Sequence, residues 1–273
     1  MAQPEKPEKA EWFDENPTQD RIPHETRRLL ETYSGIPAHE VLDHVVRVRD
    51  EAFKIFPYPC IGQFRFLNPS FSELGQEYEE VVKRLGAGQK LLDMACCFGQ
   101  TIRQLVAGGA PAENIYGCDL ESAFIDLGYK LFKDRGTLQS KFMVADVFDP
   151  SSELISMKGQ FDMVFAGSFF HLWGYEKQIE VSKAIAALLR PAPGSTILGR
   201  QIGAAAAGEK TFSTVTMYRH NVESLQSMWK EIGQDLGVEF TVKAVLKELA
   251  GDQAALYTEG ARWLWFVIRL KQV

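Results

Sequence analysis

Leu91-Leu92-Asp93-Met94-Ala95-Cys96-Cys97-Phe98-Gly99-Gln100 is the stretch that decides how this chain folds. Two apolar residues run into an acid, small residues follow, and a helical pattern begins near Thr101. Asp119 lies 26 positions after Asp93 and closes a second strand-like run, Ile115-Tyr116-Gly117-Cys118. Asp146 lies 27 positions further on and closes a third, Phe142-Met143-Val144-Ala145. Any one of these acids is as well explained as a strand-end polar residue or a helix cap. All three at β-α-β spacing imply a cradle for an adenosine-containing cofactor.

The alternation continues outward from this stretch. Strands are expected at 90–94, 114–119, 142–145, 161–166 and 196–201, with helices at about 99–108, 122–135 and 175–189 between them. Such alternation means a parallel sheet covered by helices on both faces, joined by right-handed crossovers. After a helix at 224–237, strands at 239–246 and 262–271 have no long helix between them. The last strand should therefore return antiparallel.

Upstream, residues 24–55 carry helical periodicity broken near Ser34-Gly35-Ile36-Pro37. Phe53, Phe56, Tyr58, Phe64, Phe66 and Phe71 then crowd a segment interrupted by Pro57, Pro59 and Pro69, which suits an aromatic cap better than a strand ladder. A short helix at 72–85 follows, with Ser72 as its N-cap. The expected division is a flexible tail at 1–20, a helical and aromatic cap at 21–85 and a core at 86–273.

With 273 residues and 45% hydrophobic content the chain can bury a full core without staples. A net charge of −6 without a basic cluster argues against nucleic acid as a partner. The four cysteines, Cys60, Cys96, Cys97 and Cys118, match no zinc spacing, so no metal is expected and reduced thiols are the simplest account. The N-terminus has no apolar signal region and no apolar run reaches membrane-spanning length. These features lead to the expectation of a cytoplasmic protein with no membrane partner. Nothing fixes the oligomeric state, and a cap that closes on a neighbouring copy leaves a homodimer open.

Asp93, Ala95, Cys97 and Gly99 occupy the positions of an acid followed by three alternate glycines, and with the strand order this resembles the class I S-adenosylmethionine-dependent methyltransferases. Two of the three glycines are replaced, which leaves room for the cofactor if Ala95 and Cys97 keep negative φ. The resemblance covers residues 90–271. It implies an α/β, Rossmann-like, seven-stranded, mostly parallel sheet with an antiparallel last strand, behind an N-terminal helical cap. The cofactor it implies is S-adenosyl-L-methionine. Phe161-Asp162-Met163-Val164, the loop Ser168-Phe169-Phe170-His171-Leu172-Trp173 and Leu188-Leu189-Arg190-Pro191-Ala192-Pro193-Gly194 resemble further family segments. A dinucleotide fold would need a glycine-rich phosphate loop, absent here. Pro57-Tyr58-Pro59-Cys60-Ile61-Gly62-Gln63-Phe64-Arg65-Phe66-Leu67, with Arg219-His220-Asn221-Val222-Glu223-Ser224 and Met228-Trp229, resembles fungal secondary-metabolite methyltransferases. Members acting in meroterpenoid pathways methylate the carboxyl of a farnesylated aromatic polyketide acid.

By that resemblance Asp119 holds the ribose hydroxyls through paired charge-assisted bonds. Asp146, Val147 and Phe148 take the adenine. Asp93, Ala95, Gly99, Leu120, Ser168 and Gln63 complete the cofactor set. Arg65, Phe169, Trp173, Arg200 and His220 are candidate substrate residues, and Arg219 is a third arginine suited to a carboxylate. The bland readings are surface ion pairs for the arginines, a capping amide for Gln63, packing for the aromatics and helix-terminal packing for His220. His171 is the catalytic candidate. It serves as a general base if the acceptor is a phenol and only positions substrate if the acceptor is an ionised carboxylate. The expected substrate is a small apolar acid or phenol. A methyltransferase fold recruited as a cyclase or isomerase, and a non-catalytic regulator, are the other classes left open.

Overall fold

Four central strands have almost no exposed residue, which only a sheet covered on both faces allows. These are β1 (Leu91–Met94), β2 (Ile115–Asp119), β4 (Met163–Ala166) and β5 (Thr196–Ala204). The computed structural model describes residues 12–68, 71, 74–212, 215–249, 257 and 260–272. Ser72 and residues 1–11 of the expected tail lie outside them. The main sheet adds β3 (Lys141–Val144), β8 (Glu239–Glu248) and β9 (Ala261–Gln272), in the order β3-β2-β1-β4-β5-β9-β8. Strand β9 runs antiparallel to both β5 and β8, as the end of the sequence implies. The strand order reverses between β1 and β4, and a crevice for a ligand opens at such a point.

Helices α5 (Gln100–Ala107), α6 (Ser122–Phe132), the short α7 (Glu153–Ser156), α8 (Tyr175–Ala186) and α9 (Val222–Leu236) flank the core strands. Helix α8 ends three residues short of expectation. The carbonyls of Ala187 and Leu188 accept from the Gly159 and Phe161 N–H groups, and the Arg190 N–H donates to Phe161 O, which leads the chain into β4. Asn221 and Ser224 form a capping box at the start of α9.

The cap comprises α1 (His24–Thr32), α2 (Val41–Ile55), α3 (Pro59–Gly62) and α4 (Gln76–Gly86). The apolar faces of α1, α2 and α3 meet Phe98 of the loop after β1 and Phe124, Leu127 and Leu131 of α6 in one cluster, whereas Val81 and Leu85 of α4 pack with Leu91, Ile102 and Leu105 of the core. Trp12 and Phe13 pack on Phe53, and the buried Arg49 guanidinium lies 4.3 Å from the ring centroids of both Phe13 and Phe64.

One element was not expected. A hairpin of β6 (Gly208–Phe212) and β7 (Val215–Arg219) is inserted between β5 and α9. Tyr218 N–H donates to Trp173 O at 2.8 Å, which fastens the hairpin to the loop after β4. Among the described residues no helix is long and apolar enough to cross a membrane.

Candidate active site

The loop after β1 departs from the expected backbone. Ala95 and Cys97 do not keep negative φ; they stand at +55° and +50°, with Gly99 at +62°. The chain adopts the left-handed geometry of an alternate-glycine loop while supplying a glycine only once. Glycine is obligatory at position 99, because a Cβ there would lie 2.5 Å from Arg103 Nη1 and 3.0 Å from Phe142. Ala95 is exposed at the mouth of the crevice, and its methyl group leaves the backbone approachable.

Two carboxylates face this loop. Asp119 accepts from Cys97 N–H at 2.8 Å through Oδ2 and from Glu121 N–H at 3.0 Å through Oδ1. Each oxygen keeps lone-pair capacity for a further donor. Burial raises the Asp119 carboxyl, and the two backbone N–H groups partly offset it. Asp93, 3% exposed, is pushed well above the usual carboxylate range by burial and then by Asp119. Two buried acids side by side favour a ligand that brings hydroxyl or ammonium donors. Beside them Leu120 and Val144 leave 62% and 55% of their surfaces exposed, an apolar floor for a planar base. Asp146 is exposed and accepts from Phe148 N–H at 2.9 Å, which sets the turn bearing Val147 and Phe148. These residues fit the sugar, base and amino-acid parts of a nucleoside sulfonium.

The opposite side of the crevice is polar and buried. Phe64 sits at φ +58°, turning the chain between Gln63 and Arg65. Gln63 Oε1, Arg65 Nη2 and His171 Nδ1 are buried with no hydrogen-bond partner. Each is able to meet a polar group of a ligand. Arg65 Nη1 donates to Tyr257 Oη at 2.9 Å, and the Arg219 guanidinium lies 5.6 Å from the centre of the same ring. Arg219 is 3% exposed. Burial and then the Arg219 charge push His171 down to about 4. Ser168 has φ +56° and donates its N–H to Arg200 O, another strained residue at a strand end.

The other candidates are held by contacts of their own. Arg200 lies against Trp263 and Trp265 of β9, 4.3 and 5.3 Å from their ring centroids. His220 is buried at the start of α9, with Nδ1 2.8 Å from Ser224 Oγ and Tyr218 beside its ring, and burial pushes it to about 4. Phe169, Trp173 and Phe148 form an edge-to-face row. Cys96 and Cys97 have thiols raised well above their ordinary value by burial, which removes thiolate chemistry. Sequence reasoning missed Tyr257, Val144 and Tyr58. Tyr58 has a hydroxyl raised by burial and then by the Asp119 charge. Its place in the proline-broken aromatic segment was the available signal; Tyr257 offered none.

Residues 91–192 match the family described as a methyltransferase domain, and the cofactor is S-adenosyl-L-methionine. Residues 12–67 match the meroterpenoid methyltransferase N-terminal domain. The O-methyltransferase atr3 of Stereocaulon alpinum is 39% identical over 94% of this chain and 75% of its own length. The asnovolin E/chermesin D methyltransferase nvfJ of Aspergillus novofumigatus is 41% identical over 82% of this chain and 81% of its own. The chain belongs to this family of fungal secondary-metabolite methyltransferases. Among solved structures, the Burkholderia thailandensis 1,6-didemethyltoxoflavin-N1-methyltransferase is 13% identical, with a TM-score of 0.53 over 87% of this chain and 92% of that one. At that identity the likeness concerns the fold.

Proposed function

We propose that the protein methylates an oxygen of an apolar polyketide or meroterpenoid acid, with the carboxylate as acceptor. The observation that carries this reading is the meeting of Arg65 and Arg219 on Tyr257, with His171 beside them. Two guanidinium groups at one ring suit an anionic acceptor, which they hold and orient. A phenol near pKa 10 needs a base, and an imidazole held at about 4 is a poor one. A carboxylate arrives already ionised, and His171 then positions it through its open Nδ1.

S-adenosyl-L-methionine supplies the methyl group as a sulfonium. In this reading Asp119 holds the ribose, and Leu120, Asp146, Val147 and Phe148 bound the base. Gln63, Asp93, Ala95, Gly99 and Ser168 line the remainder. Phe169 and Trp173 wall the acceptor. The protein contributes alignment and exclusion of water, and alignment alone is worth about 7–11 kcal/mol of barrier.

A test uses a prenylated dihydroxybenzoic acid, which offers a carboxyl and a phenol in one molecule. Mass spectrometry before and after mild alkaline hydrolysis separates methyl ester from aryl ether. The ester is expected, and an ether product would remove the carboxylate assignment. In the same assay His171→Ala is expected to lower kcat by less than about tenfold, whereas loss of a general base costs about 10² or more. The phenol reading draws on the same Nδ1, which is neutral at pH 7 and open to a proton. A loss of 10² or more whose pH profile follows a single base supports it.

A further inference from the structure

Three alternate residues of the loop after β1 hold positive φ, and two of them, Ala95 and Cys97, carry side chains. A non-glycine residue in that region costs on the order of 1–2 kcal/mol. Something outside the loop must hold it there. The one glycine, Gly99, marks the position where a neighbour fills the Cβ space, and that neighbour is Arg103 Nη1.

Arg103 is completely buried. Its Nη1 donates to Phe98 O at 3.0 Å and to Gly99 O at 3.3 Å. Nε and Nη2 each donate to Asp134 at 2.9 Å in a two-pronged pair. The rings of Tyr129, Phe132 and Phe142 surround the guanidinium at 5.1–5.2 Å. On the other side of the loop Gly128 of α6 admits Phe98 O so closely that a Cβ would lie 2.3 Å from it. Asp134 also accepts from Tyr33 Oη at 2.8 Å, and Tyr33 follows α1 of the cap. Burial and Asp134 both raise the Tyr33 hydroxyl, so it stays a donor. A buried ion pair adds little net stability over an apolar replacement. Its value here is geometric: it carries a donor to two loop carbonyls and a link to the cap.

We propose that Arg103 is a positioning residue for cofactor binding, braced through Asp134 to Tyr33 of the cap, which keeps Ala95 and Cys97 left-handed and so aims the loop at its ligand. The proposal rests on the reading of this loop and Asp119 as the cofactor cradle. The amide of Cys97, which meets Asp119, is the group whose direction the brace sets.

The test is titration calorimetry of the full chain with S-adenosylhomocysteine, alongside thermal unfolding. Arg103→Lys keeps the charge for Asp134 but cannot reach both it and the two carbonyls. It is expected to weaken binding about tenfold or more in the natural loop, and by less than about threefold once Ala95→Gly and Cys97→Gly make the left-handed turn free of strain. Equal losses in both loops, or a lowered Tm with unchanged affinity, would mean a purely structural ion pair and overturn the proposal. If Arg103→Lys does not fold, Tyr33→Phe decides, since it removes one hydroxyl at the edge of the network. A several-fold loss of affinity supports the brace, and unchanged affinity overturns it. Asp119→Ala separates the two levels. Retained affinity there refutes the cradle itself and takes the proposal with it, whereas lost affinity with no effect of Tyr33→Phe refutes the brace alone.

Discussion

Asp93 stands where a negative charge is hardest to keep, buried and beside a second carboxylate. Its folded-state pKa is raised, so at neutral pH its ionised form works against folding. Asn has the same shape and no charge. Asp93→Asn is therefore expected to raise the Tm of the ligand-free protein at pH 7 and to weaken S-adenosylhomocysteine binding. Thermal unfolding and calorimetry read the two effects separately, and a lowered Tm with full affinity would contradict the trade of stability for a polar ligand site. Gly99→Ala is expected to behave in the opposite way and to cost stability outright. Its methyl group would displace Arg103 from the Phe98 and Gly99 carbonyls and force an unfavourable φ. At this scale the acids were legible from their spacing. The sign of φ at Ala95 and Cys97 was not, because no local residue marks it and the groups that meet this loop, Arg103, Gly128 and Asp119, lie in the next helix or far along the chain.

At the scale of elements the strands β1 to β5 and the antiparallel β9 could be read from periodicity, since buried parallel strands are short apolar runs between turn signals. The β6–β7 hairpin was not read. Its residues Gly208–Phe212 carry charge and little apolar area, and the pairing is with its own return strand instead of the main sheet. What holds it in place is Gln178 of α8, fully buried, whose Nε2 donates to Trp173 O at 2.9 Å and to Tyr218 O at 2.8 Å. One side chain thus ties α8, the loop bearing His171 and the strand bearing Arg219. Gln178→Leu removes the donor to Tyr218 O and one of two donors to Trp173 O, which keeps the Tyr218 N–H, a cost of about 1–3 kcal/mol if the Tyr218 carbonyl stays buried and unpaired. The expected outcome is lower stability and a reduced kcat, with affinity for S-adenosylhomocysteine within about twofold of wild type, since the tie bonds Trp173 and Tyr218 and reaches the base side only through the Trp173–Phe148 ring contact. An equal loss of cofactor affinity would show that the hairpin supports the whole crevice and not its acceptor side.

Across the whole molecule the imidazoles differ in exposure: His220 is buried, His44 and His171 are half-buried, and His24 and His39 are exposed. Of five histidines, His44, His171 and His220 all have pKa values lowered chiefly by burial, the last two to about 4. Between about pH 6.5 and pH 4 the unfolded chain binds protons at His171 and His220 and the folded chain does not, and His44 acts in the same direction. More protons on the unfolded state means that stability rises with pH across that window, is complete above about 6.5 and falls on acidification. Linkage puts the loss near pH 5 at roughly 1–2 kcal/mol for each of His171 and His220. Asp93 and Asp119 act with the opposite sign. Their raised values make the fold take up protons before the unfolded chain does, which offsets part of the loss as pH drops toward theirs. Comparing variants resolves the two contributions. His171→Gln is expected to flatten the fall in Tm between pH 7 and pH 5, because the proton acceptor is gone from the unfolded state. Asp93→Asn is expected to steepen it, because the compensating uptake is gone from the folded state. An unaltered slope in His171→Gln would mean that this histidine takes up its proton at the same pH in the fold as in the unfolded chain, and that neither its burial nor the Arg219 charge beside it acts on the imidazole.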